Sequence, residues 1–268
     1  MSSSTYQASD GEAYQRFIGR WTHRLGEAVA ALAPPTAEGA LIDVACGTGS
    51  MTAALAARYP DRRIVGIDVA EPYLDFARVR GDAGAAEFHR MDAQALDFEV
   101  GAFAAAYAVI ALNFVGDAAM AAAEMRRVVK AGGLVAGVGW DFRGGLVYQR
   151  LLWDTAAGLD PKAGAVRDRI FSHPLAKPDG TTALFEAAGL QDVSRRSVTI
   201  RMDFASFDDY WSPLLGGQGP VGGYVAALES ELRERVREAV RRAYLSGDED
   251  GPRSLTATAW LVTGTSPD

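Results

Sequence analysis

Residues 41 to 55, LIDVACGTGSMTAAL, carry the pattern with the most chemical content in this chain. An apolar strand ending at Val44 runs into Ala45-Cys46-Gly47-Thr48-Gly49. There, small side chains let the backbone approach a ligand, and two glycines reach conformations closed to other residues. A helix beginning near Ser50 points its first amide groups at the same place. Asp68 follows Gly49 by 19 residues, at the carboxyl end of the next strand, RIVGID. A carboxylate at that position accepts both hydrogen bonds of a ribose diol. The combination specifies a nucleoside-containing ligand. The dinucleotide fingerprint G-x-G-x-x-G/A begun at Gly47 needs Gly or Ala at position 52, which is Thr52, and the chain has no Gly-Lys-Ser/Thr run. The turn therefore argues against a nicotinamide dinucleotide and more strongly against a nucleoside triphosphate. Each of these residues also has a plainer reading: Asp68 as the N-cap of a helix over 71–80, Asp92 as the end of a strand, and Cys46 as a small buried side chain.

The elements that must position these residues are short strands at 40–44, 63–68, 86–90, 104–112 and 134–140, alternating with helical segments at 50–59, 71–80 and 117–130. Such alternation predicts an α/β fold with a Rossmann-like, doubly wound, mostly parallel sheet. Ahead of it, Tyr14, Phe17, Trp21, Leu25, Val29 and Leu32 recur at spacings of three and four, one amphipathic helix over 11–33 stopped by Pro34-Pro35. From Asp141 onward the pattern loosens into Gly- and Pro-punctuated pieces that read as a helical and aromatic cap. Phe142, Tyr148, Trp153, Phe171, Tyr210 and Trp211 either line an apolar acceptor pocket there or form the cap's own core. The runs 198–204 and 254–263 alternate as late, antiparallel edge strands. Residues 221–245 read as one solvated helix with Glu229/Arg233, Glu231/Arg235 and Glu238/Arg242 at i, i+4. The chain thus divides into a cap helix (1–35), a ligand-binding core (36–140), a substrate-side cap (141–253, with an edge strand near 191–204) and a final edge strand and tail (254–268).

Composition sets the outer limits. The 268 residues are 49% apolar and 23% charged, ordinary for a globular chain able to bury a large core. Acidic residues exceed basic ones, 34 to 27, and a net charge of −7 argues against nucleic acid as a partner. Cys46 is the sole cysteine, so no intramolecular disulfide and no cysteine-rich metal site is expected. Residues 1–13 lack a basic segment followed by an apolar one. The longest uncharged run holds 17 residues, short of the roughly 20 that a membrane span needs. A cytoplasmic protein with no membrane span and no metal is the expectation, its oligomeric state open.

With these motifs in place, the sequence resembles the class I S-adenosylmethionine-dependent methyltransferases, the broad group that includes the ubiquinone and menaquinone methyltransferase type. LIDVACGTG matches the first motif of that family. The likeness continues through VGIDVAEPYLDFAR (65–78), FHRMDAQALDF (88–98) and AYAVIALNFVGDAAMAAAEMRRVVKAGGLVAGVGW (106–140), with YQRFIGRW (14–21) upstream. The resemblance implies that S-adenosylmethionine is the cofactor, with S-adenosylhomocysteine as product. It further implies that Asp43, Ala45, Gly47 and Gly49 hold the methionine part and that Asp68 takes the ribose, with Val69 against the adenine. Asp92 and Ala93 would address the adenine amino group and ring, Gln94 next to them, and Ala108 and Val109 would lie beside the sulfonium. Tyr14, Arg20 and Trp21 either close the first helix onto the core or reach the cofactor, Arg20 at its carboxylate and an aromatic ring at the sulfonium. Two departures stand out: Ala45 replaces the commoner first glycine, tolerable only if its φ is negative, and Ala104 replaces an acid often found before this strand.

Methyl transfer from a sulfonium is an in-line displacement, so the protein's task is to position and desolvate. An acceptor that must lose a proton needs a base, and His23, His89 and His173 have the suitable side chain. His173, in SHPLAKP within the aromatic insert, is the catalytic candidate. The expected activity is methyl transfer to a small, apolar or aromatic acceptor with an oxygen, nitrogen or carbon nucleophile. The rivals are an NAD(P)-dependent oxidoreductase and a non-catalytic S-adenosylmethionine-binding regulator.

Overall fold

A computed structural model of the protein describes residues 10–267, so the first nine residues, part of the segment read above for a leader, lie outside the described chain. Five parallel strands form the core of the sheet: β1 (Leu41–Val44), β2 (Ile64–Asp68), β3 (Glu87–Arg90), β4 (Phe103–Val109) and β5 (Val129–Trp140). Two antiparallel strands, β6 (Gln191–Phe204) and β7 (Arg253–Thr265), complete it in the order β3-β2-β1-β4-β5-β7-β6. β1 has β2 on one side and β4 on the other, so the chain reverses its winding direction between β1 and β4. Ligands of open α/β sheets bind at such a switch point, outside the carboxyl ends of the strands.

Alternate residues of the strands feed two cores. Leu41, Ile64, Ala105, Tyr107 and Val138 face one layer, together with α2 (Arg20–Leu32) and α3 (Ser50–Arg58). Ile42, Val65, Ile67, Ala106 and Val135 face the other, covered by α5 (Ala118–Val128) and α8 (Gly180–Ala187). This two-sided burial explains the continuous apolar runs of β1, β2 and β4. The remaining helices are α1 (Gly11–Tyr14), α4 (Glu71–Val79), α6 (Val147–Ala157), α7 (Pro161–Ser172), α9 (Phe207–Trp211), α10 (Gly219–Ala226) and α11 (Ser230–Leu245). None is long and apolar enough to cross a membrane.

Several boundaries differ from the sequence reading, each for a local reason. The helix expected over 11–33 contains a π-helical turn, Gln15–Gly19, between α1 and α2. β4 stops at Val109 rather than 112, because Ile110 takes φ +56°, outside strand geometry. β6 spans Gln191–Phe204, matching the edge strand expected near 191–204, although in its first half Ser194, Arg195, Arg196 and Ser197 are all exposed and the alternation of 198–204 is absent. β7 is not an edge strand: it pairs with β5 on one side and β6 on the other, leaving only β6 at that edge. The helix expected over 221–245 is broken into α10 and α11, and of its three anticipated ion pairs Glu238/Arg242 forms, at 3.5 Å.

Candidate active site

The turn after β1 is shaped by three consecutive odd-numbered residues with positive φ: Ala45 (+55°), Gly47 (+55°) and Gly49 (+79°). For the two glycines this geometry is free of strain. Ala45 contradicts the expectation of a negative φ, and a left-handed alanine stores about 1–2 kcal/mol. The turn is tied down from several sides. The Cys46 amide donates to the Ile67 carbonyl (2.8 Å), and Arg80, paired with Asp82 at 2.6 Å, donates from Nη1 to the Thr48 carbonyl (2.6 Å). Beneath it, Thr52 Oγ1 donates to Asp43 Oδ2 at 2.6 Å. Thr52 therefore fills the position where a dinucleotide fold needs a minimal side chain, which is the structural form of the objection raised from sequence.

Asp68, at the end of β2, closes the turn from the other strand. Its Oδ2 accepts from the Gly47 amide (2.9 Å) and its Oδ1 from the Ala70 amide (2.8 Å). Burial raises its pKa, opposed by the backbone donors Ala70, Gly47 and Val69. The N-cap of α4 is Ala70, so Asp68 is not the cap considered from sequence but the brace between β2 and the glycine turn. Burial also lifts Asp43 to about 7 and drives the Cys46 thiol well up, which keeps the thiol neutral and unreactive. The Tyr14 phenol is raised by burial too, with the Asp68 carboxylate adding to the shift.

A cavity of about 1240 Å³ opens over these groups. It exceeds the usual range of roughly 300–1,000 Å³ for a single small ligand, leaving space for a cofactor and an acceptor together. Of the candidates from sequence, Tyr14, Ala45, Gly47, Asp68, Val69, Asp92, Ala93, Val109 and His173 line it. The others stand elsewhere. Asp43 borders a small void beneath the turn with Tyr14, Thr22 and Cys46. Gly49 caps α3, and Ala108 is fully buried inside β4. Gln94 acts on Asp92: its amide and its Nε2 donate to Asp92 Oδ1 at 2.9 and 3.0 Å, while its Oε1 accepts from the Asp117 amide at 2.8 Å. Arg20 and Trp21 do not reach the cavity. Arg20 pairs with Asp209 at 2.7 Å and lies 3.9 Å over the Trp21 ring, and Trp21 packs on Phe204 with ring centroids 4.8 Å apart, so both fasten α2 to the cap.

The cap aromatics resolve mostly in favour of a core. Tyr148, Trp153, Tyr210 and Trp211 are each at most 2% exposed and belong to the central apolar cluster; of the six considered, Phe142 alone lines the cavity. The apolar wall comes instead from Phe17, Ile18, Ile110, Phe114, Trp140 and Ile170. Phe17 and Ile18 lay inside the YQRFIGRW motif, where spacing alone spoke only for helix packing. Ile110 gave no signal, since its positive φ is a property of the folded turn, held by its amide donating to Val138 O at 2.8 Å. Gln149 and Arg169 were also missed, lying in cap helices with no motif. The Gly-rich segment 216–220 closes the mouth, with Gly217 and Gly219 at positive φ and buried Gln218 accepting from Tyr73 Oη at 3.1 Å.

His173 stands at the cavity wall, its Nδ1 accepting from the Leu175 amide at 3.2 Å. His89 is exposed beside Glu87 and His23 is half-buried with Nε2 beside Glu27, and neither lines the cavity.

The geometry thus offers a left-handed glycine turn, a cavity-lining carboxylate braced by backbone amides, a second acid held by an amide at the next strand end, and a roomy, partly apolar cleft beyond. These features fit S-adenosylmethionine. Comparison with known proteins agrees. Residues 41–133 match the family described as methyltransferase domain. The chain is 32% identical over 184 residues to a demethylmenaquinone methyltransferase of Roseiflexus castenholzii, covering 64% of this chain and 76% of that one. It is 28% identical over 200 residues to an O-methyltransferase of Penicillium expansum, covering 72% and 68%. In fold it is similar to a phosphoethanolamine N-methyltransferase of Haemonchus contortus solved with phosphomonomethylethanolamine and S-adenosylhomocysteine (TM-score 0.56, 14% identity, 96% of this chain and 57% of that one). The chain belongs to the class I S-adenosylmethionine-dependent methyltransferases.

Proposed function

We propose that this methyltransferase acts on a small, partly apolar acceptor held between the strand ends and the cap, and that the cavity-lining residues divide into a cofactor half and an acceptor half. The observation that carries this reading is the single continuous cavity, which joins Gly47, Asp68 and Asp92 at one end to Phe142, Ile170 and His173 at the other. When bound, S-adenosylmethionine supplies an electrophilic methyl group on a sulfonium. Asp68 takes the ribose diol with the acceptor capacity left after its backbone bonds. Asp92, oriented by Gln94, addresses the adenine edge, and Val69 packs on its face. Gly47 and Ala45 bring the backbone to the methionine part. Val109 and the strained Ile110 flank the transfer point, while Tyr14, Phe17 and Ile18 from the first helix exclude water from it. Excluding water leaves the nucleophile unsolvated at the moment of attack.

Besides the general-base part considered above, His173 suits a hydrogen-bonding part. With Nδ1 occupied by the Leu175 amide, the neutral imidazole keeps its proton on Nε2. In that tautomer Nε2–H serves as a hydrogen-bond donor to the acceptor. Names of relatives favour acceptors of this size: a quinone precursor for the Roseiflexus protein, a phosphomonoester amine for the Haemonchus one. A lone buried thiol suits a reducing compartment, so the proposal places the enzyme in the cytoplasm.

The test is an acceptor screen with radiolabelled S-adenosylmethionine over hydroquinones, phenols, hydroxy acids and amines, following S-adenosylhomocysteine release. Turnover with a small hydroxylated or aromatic acceptor, reduced in a Phe142→Ala variant, supports the reading. Methylation of protein or nucleic acid alone would overturn it.

A further inference from the structure

We propose that Gln149 is the residue that recognises the methyl acceptor. Its carboxamide oxygen receives a hydrogen bond from an uncharged O–H or N–H of that molecule. The proposal rests on the methyltransferase cavity described above and names the class of molecule its cap side selects.

Gln149 lies in the first turns of α6 and is 9% exposed, among the few buried polar side chains of the chain. Its Nε2 donates to Tyr148 Oη at 2.9 Å. Tyr148 is itself immobilised: it is 2% exposed, its carbonyl accepts from Tyr210 Oη at 2.7 Å, and its ring sits among Phe17, Trp21, Phe204 and Tyr210. One half of the carboxamide is therefore locked into the cap core. The other half, Oε1, has no hydrogen-bond partner among the described residues, and Gln149 lines the cavity. Among the described residues several other buried polar side chains satisfy themselves internally, while Thr48 Oγ1, in the glycine turn, is buried without a partner. Gln218 takes the Tyr73 hydroxyl, Asp160 takes the Lys162 amide and the Tyr224 hydroxyl, and Thr22 bonds Ser50 and the Gly19 carbonyl. A packing role alone would be served as well by methionine or leucine, which present no carboxamide oxygen to the cavity.

The surroundings specify the donor. The same cavity is lined by the apolar Phe17, Ile18 and Phe142, which offer a ligand donor no competing acceptor. The carboxylates that line the cavity, Asp68, Glu71 and Asp92, all sit at the ends of β2 and β3 or the start of α4. The cap contributes Arg169 and His173 and no acid. An ammonium group would meet no counter-charge there, whereas a neutral hydroxyl or N–H fits the free oxygen. An amide cannot take up a proton, so Gln149 is a positioning residue: it orients the acceptor atom and discriminates the unmethylated group from its methyl ether, which has no proton to donate.

The experiment uses matched aromatic pairs, hydroquinones and phenols against their methyl ethers, with binding read by ligand-observed NMR on the complex with S-adenosylhomocysteine. Wild type, Gln149→Met and Gln149→Glu are compared, after calorimetry has fixed the S-adenosylhomocysteine affinity of each. Wild type should favour the hydroxyl member by about tenfold, the effect of one neutral hydrogen bond. Gln149→Met should abolish the preference, and Gln149→Glu, which keeps an acceptor oxygen, should retain it. Because the ratio is taken within each protein, small changes in stability cancel. Failure of wild type to bind S-adenosylhomocysteine would condemn the cofactor reading. With that binding intact, equal affinity of the pairs, binding of neither member, or a preference surviving in Gln149→Met would overturn the role of Gln149.

Discussion

Asp68→Ala separates the two jobs that one carboxylate does. In the ligand-free protein its oxygens hold the Gly47 amide at 2.9 Å and the Ala70 amide at 2.8 Å, joining the glycine turn to the start of α4. Hydrogen bonds to a charged group contribute about 1.5–3 kcal/mol each. Part of that gain is cancelled because the carboxylate is buried, the same effect that raises its pKa. Water in the cavity also reaches the freed amides. The net loss should be about 1–3 kcal/mol, a fall in Tm of roughly 3–10 °C for a chain of this length. Cofactor binding should weaken further, since two bonds to a ribose diol disappear, by about 3 kcal/mol or around a hundredfold. The assays are urea unfolding of the ligand-free variant and calorimetric titration with S-adenosylhomocysteine. Unchanged ligand-free stability would refute the bracing role, and unchanged affinity would refute the ribose assignment.

Ala45→Gly should stabilise the ligand-free protein, because relief of about 1–2 kcal/mol of left-handed strain outweighs the 0.4–1 kcal/mol or so of added chain entropy in the unfolded state; a drop in the urea midpoint would contradict the strain. Asp43, lifted to about 7 by burial, binds a proton in the folded state that the unfolded chain, with a pKa of about 3.9, does not hold between those values. Its contribution to stability is therefore full below pH ~4 and lost as pH rises through about 7. Asp43→Asn, which still accepts from Thr52, should flatten that decline in a pH series of urea midpoints and exceed wild type at pH ~8. An unaltered pH profile would count against a protonated Asp43. Arg20→Met should leave S-adenosylhomocysteine affinity unchanged while weakening the cap by about 1 kcal/mol, the scale of a partly exposed ion pair. A large loss of affinity would return Arg20 to the cofactor site.

The sheet, and the gathering of Gly47, Asp68 and Asp92 on one cavity at its strand ends, were legible because both are written locally. The apolar runs of β1, β2 and β4 report two-sided burial, and the spacing from Gly49 to Asp68 is the length of one helix and one strand. Residues that act through a distant partner were not legible in this way. Arg20 was ambiguous because Asp209, the group that claims it, lies 189 residues away. Tyr148 and Tyr210 looked like pocket aromatics since burial in a core and burial at a cleft leave the same residue types. The sign of φ at Ala45 and Ile110 is imposed by the closed turn and by β5, not by side-chain identity, so an unfavourable backbone was invisible in the letters. Gln149 gave no sequence signal at all, because its meaning depends on which half of the carboxamide Tyr148 occupies.

The central claim is that the cleft over Gly47, Asp68 and Asp92 holds S-adenosylmethionine. Its most direct test is parallel calorimetric titration of the purified protein with S-adenosylmethionine, S-adenosylhomocysteine and NAD. Saturable one-to-one binding of the first two, with no heat from NAD, is the predicted result. Binding of NAD alone would contradict the assignment of the turn and every role derived from it.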